Sequence, residues 1–258
     1  MPLPFTKITD IAIGPITLQA WGVMLALGLL VGLFVTLKEA ERKKIKSDSV
    51  FDVFLWILVT SIVGSRLMYV LLFWRDFISA PLDIFKIWEG GLVFYGGIFA
   101  ALLAMWFYTR SKKISFVDLA DTLTPGFAIG IFFGRLGCYL IGDHIGAPMK
   151  GDWFWGSVMT GDTVLRHEPS LYLSLNGLLM FIVLWHLRTR LNKRGAMAMA
   201  FFVWYGFSRF FLDFSRSSDL ALGLSDPRFW GLTISQYVSV GLFAGGLYYF
   251  LFKFKKRS

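Results

Sequence analysis

Apolar residues in this chain gather into seven long runs, at 18–37, 51–74, 92–109, 116–141, 170–187, 196–213 and 232–252. Short stretches that hold most of the charge separate them. A helix that crosses a bilayer needs ~20 predominantly apolar residues. The pattern therefore predicts seven membrane-spanning helices, the third and fifth near the minimum length. The stretch 77–88 is apolar but too short to span, and is expected at the interface or as a re-entrant segment. The first 17 residues are mixed and carry no cleavable signal pattern. No internal repeat or low-complexity tract appears, which argues against most transporter architectures. The expected fold is all-α: a polytopic membrane protein with one transmembrane domain over 1–258, an outer arm at 143–169 and an outer loop at 217–231.

Composition agrees with that reading. Of 258 residues, 56% are hydrophobic and only 17% charged, against ~45–50% and ~25% in a soluble domain. This excludes a disordered chain, a nucleic-acid arm and an ordinary cytosolic enzyme. The single cysteine, Cys138, excludes an internal disulfide and is expected to be a small packing residue. The net charge of +9 raises the question of where the basic residues sit. Between the runs, Lys and Arg alternate from one side to the other, 16 against 7. By the positive-inside rule the N-terminus lies outside and the C-terminus in the cytoplasm. Topology accounts for the basic excess, so no nucleic-acid partner is expected.

Three basic residues remain, Arg66, Arg135 and Arg209, each late in an outward-running span. An arginine in the hydrocarbon core costs at least ~2.5–3.5 kcal/mol. The plainer reading is that each snorkels or pairs with a carboxylate. Three at one depth on three helices point instead to an anion site, since guanidinium suits bidentate phosphate binding. In a membrane, the most available phosphate is a lipid headgroup.

The neighbours of these arginines extend the pattern. Tyr205, Arg209, Asp213 and Arg216 share roughly one helix face. They form either a self-neutralising Arg209–Asp213 pair or a polar wall that aims Arg209 at a phosphate. The fourth run carries Pro125, expected to kink it. It ends with four glycines among residues 134–146, together with Arg135, Asp143 and His144. Non-helical backbone at depth is tolerated where protein buries it or it lines a cavity, and a cavity is the expectation here, with Gly142 at its edge. Tyr95, between two glycine pairs, is either an interface-belt tyrosine or a hydroxyl delivered to that cavity. His144 beside Asp143 is the one histidine placed for chemistry. No metal-ligand spacing, nucleotide-type phosphate loop or Ser-His-Asp pattern is present, so neither metal nor cofactor is expected.

Taken together, these segments resemble the bacterial prolipoprotein diacylglyceryl transferases over most of the chain. The anchors are Gly64-Ser65-Arg66-Leu67 with Tyr69, the Gly-Gly-x-x-x-Tyr-Gly-Gly segment ending at Gly97, and Gly134-Arg135-Leu136-Gly137 through Gly146. His167-Glu168-Pro169-Ser170-Leu171-Tyr172, Tyr205-Gly206-Phe207-Ser208-Arg209-Phe210 with Asp213 and Arg216, and Leu232-Thr233-Ile234-Ser235-Gln236 complete the set. The resemblance implies a multi-pass enzyme of the bacterial inner membrane, active in lipoprotein biosynthesis. Such an enzyme moves the diacylglyceryl group of phosphatidylglycerol to the lipobox cysteine of a prolipoprotein and releases glycerol phosphate. Its partners would be phosphatidylglycerol, the lipobox segment and membrane lipid. By position, Arg135 and Arg209 match the family's phosphate-binding arginines, and Arg66 and Arg216 match supporting ones. Tyr205 matches the tyrosine one turn before the arginine. Tyr95 stands where many members carry the histidine proposed as base.

There are departures. Cys138 and Ile141 replace two asparagines, Asp143 and Asp213 replace glutamates, and the Ser-Gln-Leu-Tyr of the outer segment lacks its glutamine. The site residues expected are therefore Arg135, Arg209, Tyr95, Asp143 and His144 for chemistry, and Arg66, Tyr205, Asp213, Arg216 and Gly142 for binding. The alternatives are a divergent paralogue acting on another lipid or acceptor, and a non-enzymatic phospholipid carrier or flippase.

Overall fold

The computed structural model describes residues 7–14, 16–151, 156–158, 164–217 and 228–254. The sequence-predicted Trp153 and Trp155 of the arm, and most of the loop at 217–231, lie outside the described residues. A hairpin of β1 (Asp10–Ile13) and β2 (Ile16–Gln19) leads into α1 (Ala20–Arg42). Then come α2 (Ser47–Leu72), α3 (Phe94–Lys112), α4 (Phe116–Ile141), α5 (Pro169–Leu187), α6 (Ala196–Leu212) and α7 (Ile234–Tyr248). Two further short ribbons pair β3 (Ser157–Val158) with β4 (Leu165–Arg166), and β5 (Arg228–Phe229) with β6 (Leu232–Thr233).

Each apolar run holds a helix, and the helices differ in how fully they meet the length and apolarity of a span. Among the described residues, four helices, α1, α2, α4 and α5, are long and apolar enough to cross a membrane. At ~1.5 Å per residue, the 17 residues of α6 fall a few Å short of a ~30 Å hydrocarbon layer, whereas the 15 residues of α7 run directly into a π-helical segment over Tyr249–Phe254. The last turn of α3 is taken by Arg110 and Lys112. The stretch 77–88 carries no long helix and runs through three short 3-10 turns, Trp74–Phe77, Pro81–Phe85 and Ile87–Glu89, with Leu82, Phe85 and Trp88 exposed. The chain is thus a membrane-embedded helical protein.

The chain divides into two compact units, residues 37–120 and residues 1–36 with 121–258. In the first, α2 and α3 pack antiparallel. Gly64 meets Gly96 and Ala100 at one end, and Tyr108 donates to Asp52 at the other. In the second, α4, α5 and α6 share an apolar core of Ala128, Met180, Leu184, Met197 and Phe201. Asp121 fixes the start of α6 by accepting the backbone N–H of Gly195 (2.7 Å) and Ala198 (2.9 Å), which satisfies donors that a helix N-terminus leaves open. Helix α7 lies along α6, with Gly206 against Ser239 and Phe243, and Gly246 against Val203.

Candidate functional site

The ten sequence-predicted site residues fall in two places. Arg66 and Tyr95 belong to the unit 37–120. Arg135, Gly142, Asp143, His144, Tyr205, Arg209, Asp213 and Arg216 belong to the other.

Arg66 spends its donors on the chain itself. Its Nε donates to the Ile84 carbonyl (2.9 Å), Nη1 to Gly90 (2.7 Å) and Gly91 (3.2 Å), and Nη2 to Asp83 (2.5 Å). Tyr69 and Phe77 flank the guanidinium. Gly90 and Gly91 both take positive φ (89° and 71°), which turns successive carbonyls onto one cation. A Cβ on Gly91 would stand 2.7 Å from Nη1. Arg66 therefore organises the 3-10 segment rather than presenting a free fork to a phosphate. Arg66→Ala would strand these carbonyls, at ~1–3 kcal/mol for each one left unsatisfied. The expected outcome is loss of at least ~3 kcal/mol of stability and faster protease cleavage between residues 73 and 93; cleavage at the wild-type rate would contradict this role. Tyr95, at the second position of α3, is 43% exposed. Its ring meets Phe94 edge-on, and its hydroxyl makes no hydrogen bond among the described residues.

The other place is built at the C-terminal ends of α4 and α6. Arg209 is 4% exposed and Asp213 1%. Nη2 of Arg209 stands 3.0 Å from Asp213 Oδ1 and donates to Ser235 Oγ at 3.2 Å. Nη1 of the same guanidinium is buried and has no hydrogen-bond partner among the described residues. Asp213 Oδ1 also faces Arg216 Nη1 at 3.8 Å, but lies out of line for a hydrogen bond with either arginine. The Thr233 hydroxyl donates to Asp213 Oδ2. Tyr205 stacks on Phe201, with ring centroids 5.5 Å apart.

At the end of α4 the chain turns sharply. Gly142 adopts φ 64°, and the Asp143 N–H folds back to donate to the Cys138 carbonyl at 3.1 Å. The arm then runs between two neighbours. Ala147 donates to Ser215 and Ser217 to Ile145 on one side; His167 donates to Ala147 and Met149 to Leu165 on the other. The arm is thereby laced to the end of α6 and to the start of α5. Asp143 Oδ2 lies 3.1 Å from His144 Nδ1. Contact with His144 pulls the Asp143 carboxyl below its usual range, and the charges of Arg135 and Arg216 add to that against partial burial. Arg135, half-buried on α4, makes no hydrogen bond or close ion pair among the described residues. Arg209 and Arg216 thus both face Asp213, and the charges of Arg135 and Arg216 both act on Asp143.

Sequence reasoning gave no role to several residues that complete this place. Thr233 and Ser235 hold Asp213 and Arg209. Gln236 closes a capping box with Thr233 and donates to the Phe210 carbonyl (3.1 Å). The Thr-x-x-Gln spacing ahead of an apolar run carries the signal that would have found them. Glu168 at the start of α5 is almost buried and accepts from Ser157. Burial raises its carboxyl above the ordinary 4.5, opposed by the Ser157 hydrogen bond and the charge of Lys7. The raised value makes the folded arm most stable with Glu168 protonated. That stability is present below about pH 4.5 and is lost as pH rises through the folded value. Glu168→Gln is expected to melt above the wild type at pH 7–8 and level with it at pH 4; a pH-independent difference would contradict the assignment.

Comparison with known proteins bears on this geometry. The family model for prolipoprotein diacylglyceryl transferase matches residues 9–252. A phosphatidylglycerol–prolipoprotein diacylglyceryl transferase of Pseudoalteromonas atlantica is 32% identical over 243 residues, covering 92% of this chain and 85% of that protein. The protein of the same description from Bordetella avium is 30% identical over 264 residues, covering 99% and 98%. That from Streptococcus agalactiae is 30% identical over 249 residues, covering 94% of each. With the match running through every helix and both groups of site residues, this chain belongs to the prolipoprotein diacylglyceryl transferase family.

Proposed function

We propose that the chain transfers the diacylglyceryl group of phosphatidylglycerol to the lipobox cysteine of prolipoproteins, at the outer face of the bacterial inner membrane. In this reading all seven helices lie within the membrane, with the N-terminus outside and the C-terminus in the cytoplasm, as the alternation of basic residues suggests. The observation that carries the reading is the buried, unpartnered Nη1 of Arg209. Buried donors are nearly always satisfied, and a guanidinium held on one side by Asp213 leaves its other side for an anion. A lipid phosphate supplies that anion.

The proposed reaction runs as a displacement at carbon. The acceptor thiol gives up its proton, and the sulfur attacks the glyceryl carbon that bears the phosphate oxygen. The carbon–oxygen bond breaks, the electron pair stays on oxygen, and glycerol phosphate leaves. Charge grows on the phosphate during this step. In this reading Arg209 and Arg135 donate to the phosphate as that charge grows, where preorganised donors count most. Asp213 and Asp143 hold the arginines, Arg216 and Tyr205 line the place, and the Gly142 turn lets Asp143 fold back. His144 or Tyr95 takes the thiol proton. His144 has the better support, because the Asp143 carboxylate beside it would stabilise the imidazolium. Arg66 acts by shaping its own segment.

The test is direct. Purified protein is incubated with phosphatidylglycerol and a lipobox peptide, and the peptide is read by mass spectrometry. The proposal predicts a diacylglyceryl thioether that Arg135→Ala does not make. Absence of product from well-folded protein that binds phosphatidylglycerol would overturn it in favour of another acceptor or of plain lipid carriage.

A further inference from the structure

We propose that the C-terminal end of α3 holds an anionic diacyl phospholipid of the cytoplasmic leaflet. Its phosphate sits between Arg110 and Lys113, and an acyl chain runs along the exposed face of the helix. This lipid is held rather than converted. The choice of leaflet, though not the site itself, rests on the topology of the reading above. A cavity of about 450 Å³ opens here, lined by Trp106, Thr109, Arg110, Lys113, Ile114 and Phe116. All six belong to the unit 37–120. Tyr95 and Thr109 are separated by ~21 Å along the helix, so this place is distinct from the end of α3 that carries Tyr95.

The cations at this end are unspent. Arg110, Lys112 and Lys113 make no ion pair and no side-chain hydrogen bond among the described residues. By contrast, Arg42, Lys43 and Lys86 each face a carboxylate. Basic residues near a helix C-terminus often serve the open carbonyls there, but here the backbone does so. The Lys113 N–H points to the Arg110 and Thr109 carbonyls, and the Ile114 N–H donates to Thr109 at 3.0 Å. Lys113 closes this turn at φ 55°, a conformation that glycine adopts at lower cost. The Arg110 guanidinium lies over the Trp106 ring, 5.6 Å from its centroid. Such a contact engages the charge and leaves the donors of the fork to an anion.

The apolar part of the site follows the same helix face. Phe99, Leu103, Trp106 and Arg110 recur at i, i+4, i+7 and i+11, one stripe along α3. The three apolar members are exposed. From Phe99 to Arg110 the stripe covers ~16 Å, about half of a ~30 Å hydrocarbon layer. It is thus one leaflet deep, with cations at its polar end and an interfacial tryptophan one turn inside. That shape suits a charged head joined to an acyl chain, and a free anion would use only half of it. A phosphodiester headgroup without an amine brings a net negative charge to Arg110 and Lys113. A choline or ethanolamine headgroup brings its own cation and is disfavoured. The alternation of basic residues puts this end inside, where an anionic leaflet attracts each Lys and Arg.

The test titrates full-length protein in neutral detergent with phosphatidylglycerol, or with phosphatidylcholine of the same chains, and counts retained lipids by native mass spectrometry. Replacing Arg110 and Lys113 together by alanine should weaken the binding of one phosphatidylglycerol roughly thirtyfold, about fivefold for each cation at a membrane surface. Lys112→Ala removes the same charge outside the cavity and should change little. Phosphatidylcholine should not distinguish the wild type from the pair variant. The pair variant that holds phosphatidylglycerol like the wild type, or a Lys112→Ala loss as large as that of Lys113→Ala, would overturn the site. Displacement of the lipid by soluble glycerol phosphate would overturn it in favour of a free-anion site. Thioether formation by the pair variant should keep the wild-type rate; a rate that falls with the lipid would overturn the claim that this lipid is only held. The leaflet is tested with Ser111→Cys, since the one native cysteine is buried. A membrane-impermeant thiol reagent should label it in opened cells and not in intact ones. Labelling of intact cells would overturn the leaflet and the topology on which it rests. Lipid held as expected by protein that makes no thioether would overturn the transferase reading and leave this site standing.

Discussion

Arg209→Ala is expected to lower kcat/KM for thioether formation by roughly a thousandfold or more. Loss of one preorganised donor to a developing oxyanion costs ~10²–10³, and Arg209 supplies a charge as well. The guanidinium is fixed on one side by Asp213 and Ser235, so that Nη1 alone is left to meet the phosphate. Arg209→Lys keeps the charge but cannot hold Asp213 and a phosphate with one planar fork. It should recover only a small part of the rate. The two variants are compared in single-turnover assays with phosphatidylglycerol in nanodiscs, alongside thermal melts. A lysine variant near wild-type rate would mean that the fork geometry is irrelevant.

Asp213→Ala is expected to be the most destabilising change of those considered, by ~3–5 kcal/mol, as for removing one partner of a buried ion pair. The carboxylate is 1% exposed. It faces Arg209 at 3.0 Å and Arg216 at 3.8 Å and accepts from Thr233. Its removal leaves a 4%-exposed guanidinium uncompensated and frees the start of α7, where Thr233 also caps the helix through the Gln236 N–H. Asp213→Asn should fall between, because its carbonyl can still accept from Thr233. Thermal unfolding in one detergent measures both. An alanine variant that melts with the wild type would show that the pair carries no net stability.

Much of this was legible in the sequence, for reasons that differ from residue to residue. The helices could be read because each run is apolar almost end to end and punctuated by basic residues. Their adequacy as spans could not, since length within a run depends on where caps and turns fall. Thr233 and Gln236 start α7 at residue 234, and its far end passes into a π-helical segment over Tyr249–Phe254. The Arg209–Asp213 pair could be read because four residues along a helix are neighbours. Arg66 was misleading. Its position late in a span matched Arg135 and Arg209, but its partners are carbonyls 17 to 25 residues away, and no local pattern encodes backbone acceptors. Cys138 and Asp143 looked unrelated for a similar reason. One glycine in a left-handed conformation brings them together, and a helical wheel cannot show it. Glu168 belongs to a segment that carries the resemblance but received no role, because the burial that raises its carboxyl shows only in the fold, where it accepts from Ser157.

The measurement that bears most directly on the central claim is the release of headgroup-labelled glycerol phosphate, followed together with thioether formation in wild-type protein and in Arg209→Ala. The account predicts one glycerol phosphate released for each thioether formed. Release should require a cysteine in the lipobox peptide and should fall roughly a thousandfold in the variant. Headgroup movement without thioether, or an Arg209→Ala variant that keeps the wild-type rate, would contradict it.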